Sequence, residues 1–323
     1  MQGQLVVVFG GSGFIGEHVV RALAKQGARV RVPTRRPHLA QHLRPLGDVG
    51  QIHLMQANVR FPDSVARALE GADAVVNLIG LLYETGRQTF DDVQAEGARR
   101  IAEAAKAAGI KRFVHVSAIG ADPAGKAKYA RTKAAAEAAV RAAIPEAAIL
   151  RPSIVFGPGD GFFNRFGEMA TIAPALPLIG GKTRFQPVFV GDVAEAVVQA
   201  LTRPDAQSRT FELGGPRVYT MKDLLRYILQ ETQRSRALAP IPFFAAQPMG
   251  AAFETLFKIP LLGAPPLTAD QVKLLKRDNI VSPGALGFAD LGVTELETVE
   301  SIVPTYLWRF RPYGQFQTKA PAV

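Results

Sequence analysis

Apolar runs alternate with helical patterns through the first half of the chain. The run from Leu5 to Phe9 has no polar face, as expected for a parallel strand that is covered on both sides. The next segment, from about Gly16 to Gln26, has helical apolar spacing and ends at Gly27, whose freedom at positive φ suits a helix end. The same alternation continues and predicts βα units. Further strands are predicted at Arg29–Val32, Ile52–Met55, Ala74–Ile79, Arg112–Ser117 and Ala147–Leu150, with helices near Ser64–Leu69, Phe90–Ala108 and Tyr129–Ala142.

Beyond Arg151 the pattern loosens, although "PVFVGDVAEAVVQAL" still indicates a strand and a helix, and "RTFELGG" a strand. From Ala239 onward prolines interrupt the apolar text and no βα spacing is visible. We predict an α/β fold, a Rossmann-type doubly wound parallel sheet with a small, mainly helical C-terminal appendage. The sheet domain is expected over residues 1–239, with elements of a substrate-side subdomain interleaved after residue 151. A docking region is expected over residues 240–323.

Composition narrows the class of protein. The 323 residues are 48% hydrophobic and 20% charged, which is typical of a globular protein, and no apolar run reaches the ~20 residues of a membrane-spanning helix. The absence of cysteine excludes disulfides and thiolate metal sites, and the five histidines show no metal-ligand spacing. Lysine and arginine exceed acidic residues by 38 − 28 = 10, which favours anionic partners. No aromatic and basic motif of a nucleic-acid module accompanies this charge, so nucleic acid is not an expected partner.

A glycine-rich segment, "GGSGFIG", directly follows the first strand. Its glycines permit a tight turn, a close approach of the backbone to a pyrophosphate and close packing of helix on strand. The start of the helix then offers free N–H groups and a partial positive charge to phosphates. The predicted contacts to a dinucleotide here are Gly10, Gly11, Ser12, Gly13, Phe14, Ile15 and Gly16.

The segment after the second strand indicates which dinucleotide is bound. NAD-binding proteins place an acidic residue there, whereas this chain has Arg35 and Arg36, which suit the additional phosphate of NADP. The sequence therefore predicts NADPH, although one of these arginines alone would be an ordinary solvated side chain. Further cofactor contacts are predicted at the ends of the third and fourth strands: Asn58, Val59, Ile79 and Gly80.

Three residues form a candidate catalytic group. Tyr129 and Lys133 are four residues apart on a predicted helix and share one face, and Ser117 ends the fifth strand. A Tyr and Lys pair on an exposed helix is usually a solvated face, but the position of Ser117 makes coincidence a poor explanation. The three residues resemble the Ser, Tyr and Lys arrangement of short-chain dehydrogenases, and this resemblance implies that they border the nicotinamide.

Together, "GGSGFIG", "YARTK" and "RPSIVFGPGD" resemble the extended short-chain dehydrogenase superfamily. The resemblance implies that Lys133 holds the nicotinamide ribose, that Tyr129 passes a proton, that Ser117 orients a carbonyl, and that Pro152 and Ile154 lie beside the nicotinamide. More narrowly, "HLRPLGDVGQI", "AVVNLIG", "FVHVSAIGAD" and "QPVFVGDVAEAV" resemble the dehydrogenase-like accessory subunit of respiratory complex I, from about Leu5 to beyond Gly215.

That narrower resemblance implies a tightly held NADPH without catalytic turnover, and a structural role beside the quinone-binding arm. The chain begins close to its first strand, so we expect a bacterial member, peripheral at the cytoplasmic face of the inner membrane. Its expected partners are other complex I subunits and anionic lipid head groups. Gln94 and Glu96 stand where related enzymes commonly have an asparagine, which puts proton relay in doubt.

Other interpretations stay open. The chain could be a free NADPH-dependent oxidoreductase or sugar-nucleotide epimerase that uses Ser117, Tyr129 and Lys133, or a regulator that senses NADP(H). The apolar segment of the appendage favours docking, but its side chains could equally fill a core of its own. That segment contains Phe243, Phe244, Phe253, Leu256 and Phe257.

Overall fold

The computed structural model describes residues 1–257 and 264–316. The letters "KIPLLG" of the predicted docking segment and the tail from residue 317 onward lie outside the described residues. The elements of the first half follow the predicted order, and the observed ends of most strands lie within two residues of the predicted ends. They are β1 (Leu5–Phe9), α1 (Phe14–Lys25), β2 (Arg29–Thr34), β3 (Ile52–Gln56), α2 (Pro62–Leu69), β4 (Ala74–Asn77), α3 (Glu96–Ala107), β5 (Phe113–Val116), α4 (Lys128–Ala143) and β6 (Ala148–Pro152).

The second half has shorter strands and more helices. It follows a first half that also contains a 3-10 helix, Pro37–Leu46, and a π-helix, Phe90–Ala95. Its elements are β7 (Val155–Phe156), α5 (Phe163–Ile172), β8 (Ala175–Ile179), β9 (Arg184–Phe185), β10 (Val188–Phe189), α6 (Val190–Thr202), β11 (Thr210–Leu213), β12 (Tyr219–Thr220), α7 (Met221–Glu231), β13 (Ala237–Ile241), α8 (Phe243–Leu256), α9 (Ala269–Leu274), α10 (Val299–Ile302) and α11 (Pro304–Leu307).

Seven strands form one parallel sheet in the order β11-β6-β5-β4-β1-β2-β3. Helices α2, α3 and α4 cover one face, where Val65, Ile101 and Val140 pack with Phe9. On the other face α1 packs against α6. Because both faces are covered, β1 is buried along its whole length. The predicted doubly wound parallel sheet is confirmed.

Contacts divide the chain into two compact units, and each is made of discontinuous segments. The first unit contains the large sheet and consists of residues Met1–Pro152, Val190–Leu213 and Ser282–Glu295. The second unit consists of Ser153–Phe189, Gly214–Val281 and Leu296–Val323. The predicted boundary at residue 240 lies within β13, and the separate docking role of residues 240–323 stays a prediction.

The second unit has its own core. Helices α5, α7, α10 and α11 enclose it, with Phe156, Phe163 and Leu224 fully buried. Strand β13 pairs in parallel with β8 and is followed by α8, so a βα unit occurs where the sequence pattern indicated none. Pro240 and Pro242 argued against this strand in the sequence, since proline is tolerated only in edge strands or at strand ends.

Candidate functional site

The glycine-rich turn joins β1 to α1, and its backbone leaves no room for a side chain at Gly16. Gly10 has φ +81°, and a Cβ at Gly16 would lie 2.2 Å from the main-chain oxygen of Gly10. Gly13 precedes the helix in an extended conformation and offers no capping side chain, so the first N–H groups of α1 keep their capacity for an anion. Helix α1 begins at Phe14, two residues before the predicted start, so Phe14, Ile15 and Gly16 form its first turn. This turn fits the pyrophosphate of a dinucleotide.

Two arginines follow β2, and both are exposed. Arg35 donates a hydrogen bond from NH1 to Oε1 of Gln88, 2.5 Å away. Arg36 precedes the 3-10 helix Pro37–Leu46. No carboxylate intervenes in the segment Thr34 to Pro37, so the residues present fit a phosphorylated ribose better than free ribose hydroxyls.

Asn58 and Val59 lie just beyond β3. Oδ1 of Asn58 accepts a hydrogen bond from the N–H of Arg60 at 3.1 Å, and its own N–H donates to Oγ of Ser64 at 2.8 Å. Asn58 therefore shapes its own turn. Val59 packs against the core, and a Cβ at Gly97 would lie 3.3 Å from Cγ2 of Val59. Contact of either residue with adenine stays a prediction.

The end of β4 adjoins the lysine of the candidate group. The N–H of Ile79 donates to Oδ1 of Asn77 at 3.1 Å, which turns the chain out of the sheet. A Cβ at Gly80 would lie 3.3 Å from Nζ of Lys133. Glycine at this position thus leaves the lysine its space.

Lys133 is buried, with 4% of its surface exposed. Its Nζ donates to the main-chain oxygen of Val116 at 3.2 Å and lies 5.9 Å from the centre of the Tyr129 ring. Burial lowers the pKa of Lys133 to about 8, and the negative charge of Glu137 opposes this shift. The structure therefore brings Lys133 both to the ring of Tyr129 and to the strand end that bears Ser117.

Ser117 and Tyr129 differ in their surroundings. Oγ of Ser117 is buried and has no hydrogen-bond partner among residues 1–257 and 264–316, which fits a group that would meet a bound molecule. Burial raises the pKa of Tyr129 to about 12, so the phenol keeps its proton at neutral pH. As arranged here, Tyr129 is suited to donate a hydrogen bond.

His115 lies within β5, two residues before Ser117, and is fully buried. Its Nδ1 lies 3.1 Å from Nδ2 of Asn77. Burial, and to a smaller extent the positive charge of Lys133, lower the pKa of His115 to about 3. The amide N–H₂ of Asn77 therefore donates to a neutral imidazole, as expected for a hydrogen-bonded core residue.

Gln94 has a role that the sequence analysis did not assign. It is buried on the π-helix, where its Nε2 donates to Oγ1 of Thr132 at 2.8 Å. Its Oε1 accepts from the N–H of Leu81 at 3.3 Å. Phe90, one turn earlier, meets the Tyr129 ring edge to face at 5.9 Å. These contacts connect α4 to the segment that follows β4. The sequence analysis did not assign this role because a π-helix gives no recognisable sequence signal.

A partly buried ion pair lies next to Lys133 on the same helix. Arg151 contacts both carboxylate oxygens of Glu137, at 2.9 Å and 2.6 Å, and its NH1 lies 3.7 Å from Oε1 of Glu212. Glu137 is one turn after Lys133 on α4. The carboxylate is thus fixed where it opposes the loss of the lysine proton.

The last two predicted residues fall in different units. Pro152 ends β6 in the first unit, and its oxygen accepts from the N–H of Ile119 at 3.0 Å. Ile154 belongs to the second unit and packs against the core of that unit. A place for Ile154 beside a nicotinamide stays a prediction.

Nowhere in residues 1–257 and 264–316 do three potential metal ligands of the His, Cys, Asp or Glu type converge. Within the same ranges, no helix combines the length and apolar character that a bilayer span requires.

Comparison with known sequences confirms the resemblance seen in the motifs. Residues 6–214 match the NAD dependent epimerase/dehydratase family. The chain is 36% identical over 321 residues to the mouse (Mus musculus) protein named NADH dehydrogenase (ubiquinone) 1 alpha subcomplex subunit 9, mitochondrial, which covers 95% of this chain and 82% of the mouse protein. The Arabidopsis thaliana protein of the same name is 39% identical over 299 residues, or 90% of this chain and 74% of that protein. A Caulobacter vibrioides protein named ceramide reductase is 36% identical over 200 residues, 62% of each chain.

Solved structures agree with the fold. The crystal structure of gox2253 covers 97% of this chain and all of its own (100%), with a TM-score of 0.72 at 23% identity. The NADPH-dependent quinone oxidoreductase QOR2 of Escherichia coli, solved with NADPH, covers 92% of this chain and 98% of its own, with a TM-score of 0.70 at 19% identity. At these identities the likeness concerns the fold alone.

Proposed function

Because the chain belongs to the NAD dependent epimerase/dehydratase family, and within it to the family of the alpha subcomplex subunit 9 proteins, we propose that it is an accessory subunit of NADH:quinone oxidoreductase. The observation that carries this proposal is the similarity over 95% of the chain to a subunit of that complex. In this role the first unit holds NADPH as a structural cofactor near the quinone-binding arm.

The residues of the first unit support NADPH in particular. The glycine turn would receive the pyrophosphate, Arg35 and Arg36 the additional phosphate, and Lys133 the ribose beside the nicotinamide. When bound, NADPH can supply a hydride, whereas the ion pair of Glu137 with Arg151 fixes the helix that bears Lys133 and so favours retention of the nucleotide. A ligand that binds only the folded chain stabilises it by RT ln(1 + [L]/Kd), about 4 kcal/mol at a thousandfold excess over Kd.

Nucleotide preference tests the cofactor part of the proposal. Replacing both Arg35 and Arg36 by Ala should weaken NADPH binding by about a hundredfold or more, since each hydrogen bond to a charged group contributes about 1.5–3 kcal/mol. NADH binding should change little. Equal affinity of the wild-type chain for NADPH and NADH in calorimetry would contradict the preference for NADPH.

The second unit supports a position at an anionic membrane surface. The side chain of Phe244 on α8 is 82% exposed, next to a surface hollow lined by Ile241, Phe243 and glycines. Three exposed lysines surround this area: Lys182 and Lys222 line the hollow, and Lys276 lies over the Phe243 ring at 5.5 Å. Apolar surface bordered by exposed ammonium groups suits anionic lipid head groups. We place the protein peripherally, at the cytoplasmic face of a bacterial inner membrane.

Vesicle binding tests this placement. Changing Lys182, Lys222 and Lys276 to Glu should reduce binding to phosphatidylglycerol vesicles at least about tenfold, because each basic residue contributes about 1 kcal/mol. The matched control changes Lys25, Lys106 and Lys111, exposed lysines of the first unit, to Glu. If both triple variants lose vesicle binding equally, net charge alone controls binding, and the proposed membrane-binding surface of the second unit is refuted.

Assembly tests the main proposal. Membranes of the source organism are solubilised in mild detergent and separated by native electrophoresis, and the chain is traced by immunoblotting. We expect it to comigrate with NADH:quinone oxidoreductase activity. Recovery of the chain only in the soluble fraction, with the complex intact without it, would refute an accessory role.

A free NADPH-dependent reductase is the second candidate. It is favoured by the similarity to a ceramide reductase and by the proximity of Lys133 to Tyr129 and the end of β5. NADPH deuterated at the transferable position distinguishes the two candidates. A reductase incubated with cell extract should lose the label to products, and Tyr129→Phe should prevent that loss. Retention of the label by the wild-type protein favours the structural role.

A further inference from the structure

We infer that residues 81–89 form a strap across the nucleotide groove of the first unit, and that Gln88 and Lys128 are its positioning residues. Gln88 orients the Arg35 guanidinium, and Lys128 ties the strap to the start of α4. The inference rests on the proposed binding of NADPH. It concerns how the nucleotide is read and retained.

Sheet topology determines the path of the strap. Strands β4 and β2 flank β1 on opposite sides, and β3 lies beyond β2. The strap starts just after β4, yet Gln88 contacts Arg35, which follows β2. NH1 of Arg60, which follows β3, lies 3.5 Å from the main-chain oxygen of Arg87. To reach both, the strap must pass the carboxyl end of β1, where the glycine turn lies.

Both sides of the strap are attached. At its start, the N–H of Leu81 donates to Oε1 of Gln94. In its middle, Glu84 accepts from the N–H of Phe90 at 2.7 Å and from Nζ of Lys128 at 3.0 Å. Lys128 also contacts Asp91 at 2.7 Å. One lysine therefore joins the middle of the strap and the helix that follows it to the start of α4.

These attachments are strong enough to hold the strap but weak enough to open. The Lys128 and Glu84 side chains are each 36% exposed, and exposed ion pairs add little to stability because water screens them. Segments with few buried contacts open locally without global unfolding. The strap can therefore admit a nucleotide and then slow its departure.

Gln88 acts through Arg35. A guanidinium is a rigid fork of five donors, and the bond to Gln88 uses one of them and restricts its plane. The remaining edge stays available for a phosphate on the 2′ position. A guanidinium oriented before binding loses less conformational freedom when the phosphate arrives. Gln88 should therefore favour NADPH over NADH without touching the nucleotide.

The release rate tests the anchor. NADPH is loaded on the full-length chain, and its fluorescence decay is followed after a chase with excess NADP. Lys128→Met should release NADPH about threefold to tenfold faster than wild type, since it removes two ion-pair contacts. Lys128→Arg should restore slow release. Lys126→Met is the matched control, because Lys126 is exposed nearby and its side chain lies outside the anchor. Equal release rates for Lys128→Met and Lys126→Met would overturn the role of the anchor.

Nucleotide preference tests Gln88. Gln88→Ala should lower the ratio of NADPH to NADH affinity about threefold to tenfold, as expected for one lost hydrogen bond. Its affinity for NADH should equal that of wild type. An unchanged ratio would overturn the role of Gln88. If wild type binds neither nucleotide, the proposed cofactor fails, whereas tight NADPH binding with unaltered variants refutes the strap alone.

Trypsin provides a measurement on the unaltered protein. Arg87 is exposed within the strap, so NADPH should slow cleavage of the bond between Arg87 and Gln88. Cleavage after Lys222, which is exposed in the second unit, should keep its rate. Equal cleavage after Arg87 with and without bound NADPH would contradict a strap across the groove.

Discussion

Arg151 and Glu137 form a two-point ion pair at the edge of the buried sheet, with N to O distances of 2.9 Å and 2.6 Å. Arg151 lies on β6 and Glu137 on α4, so the pair joins a strand to the helix that bears Lys133. Glu212 of β11 lies on the other side of the guanidinium and accepts from the N–H of Ser282 at 2.7 Å. One arginine thus connects three separate segments of the first unit.

Arg151→Met should destabilise the protein by about 3–5 kcal/mol, because it leaves two buried carboxylates without their counter-charge. Glu137 and Glu212 are 7% and 9% exposed. Arg203→Met is the control, since Arg203 pairs with Asp205 at the surface and such pairs contribute about 0–1 kcal/mol. Urea unfolding of both variants measures the difference. Equal losses would show that the burial of Glu137 and Glu212 gives their pairing with Arg151 no special importance.

Gly16→Ala should abolish NADPH binding, because the new methyl group would meet the backbone of Gly10 and Gly11 at 2.2 Å and 2.6 Å. Neither contact can be relieved by a side-chain rotation, so the turn must move. Gly161→Ala is the control, as no atom lies within 4 Å of the added Cβ. Calorimetric titration with NADPH checks both variants. Wild-type affinity in Gly16→Ala would exclude the glycine turn as the pyrophosphate site.

Stability in acid should depend on His115. Its pKa is about 3 in the folded protein against an ordinary value of 6.5, so the unfolded chain binds a proton that the folded chain excludes between these values. Its contribution to stability is complete above pH 6.5 and is lost as the pH falls toward 3. Relative to His115→Gln, wild type should lose up to about 1.4 kcal/mol per pH unit in this window. Parallel pH profiles of unfolding for the two proteins would contradict this.

Gln94→Asn should cost about 1–3 kcal/mol, because the shorter side chain cannot reach both Thr132 and the N–H of Leu81. Gln199→Asn is the control: Gln199 bonds Glu195 on α6, and its loss should cost under about 0.5 kcal/mol. Chemical denaturation of both variants gives the comparison, and a neutral Gln94→Asn would refute a structural role for this amide.

The sequence predicted what local periodicity controls. Strand β1, the glycine turn, and the helical spacing of Tyr129 and Lys133 all follow from patterns within about twenty residues, because the periods of strands and helices are local properties. The family resemblance rests on the same short segments. The parallel order of the βα units was therefore accessible without coordinates.

Contacts between distant segments were not accessible. Gln88 meets Arg35 across 53 positions, and Arg151 meets Glu212 on a neighbouring strand. The βα unit of β13 and α8 forms because β13 pairs with the distant strand β8. The local sequence pattern, which prolines interrupt, did not predict this unit. Each of these contacts depends on which strands become neighbours.

By itself, the sequence determined the doubly wound sheet, its glycine turn and the residues available to hold a dinucleotide, since backbone geometry and apolar period act between near neighbours. Only the tertiary structure decided that Lys133 is buried against the oxygen of Val116, that Gln94 joins α4 to the segment after β4, and that Gln88, beyond β4, contacts Arg35, beyond β2. The physical reason is that burial and the pairing of charges depend on packing between segments far apart in the chain.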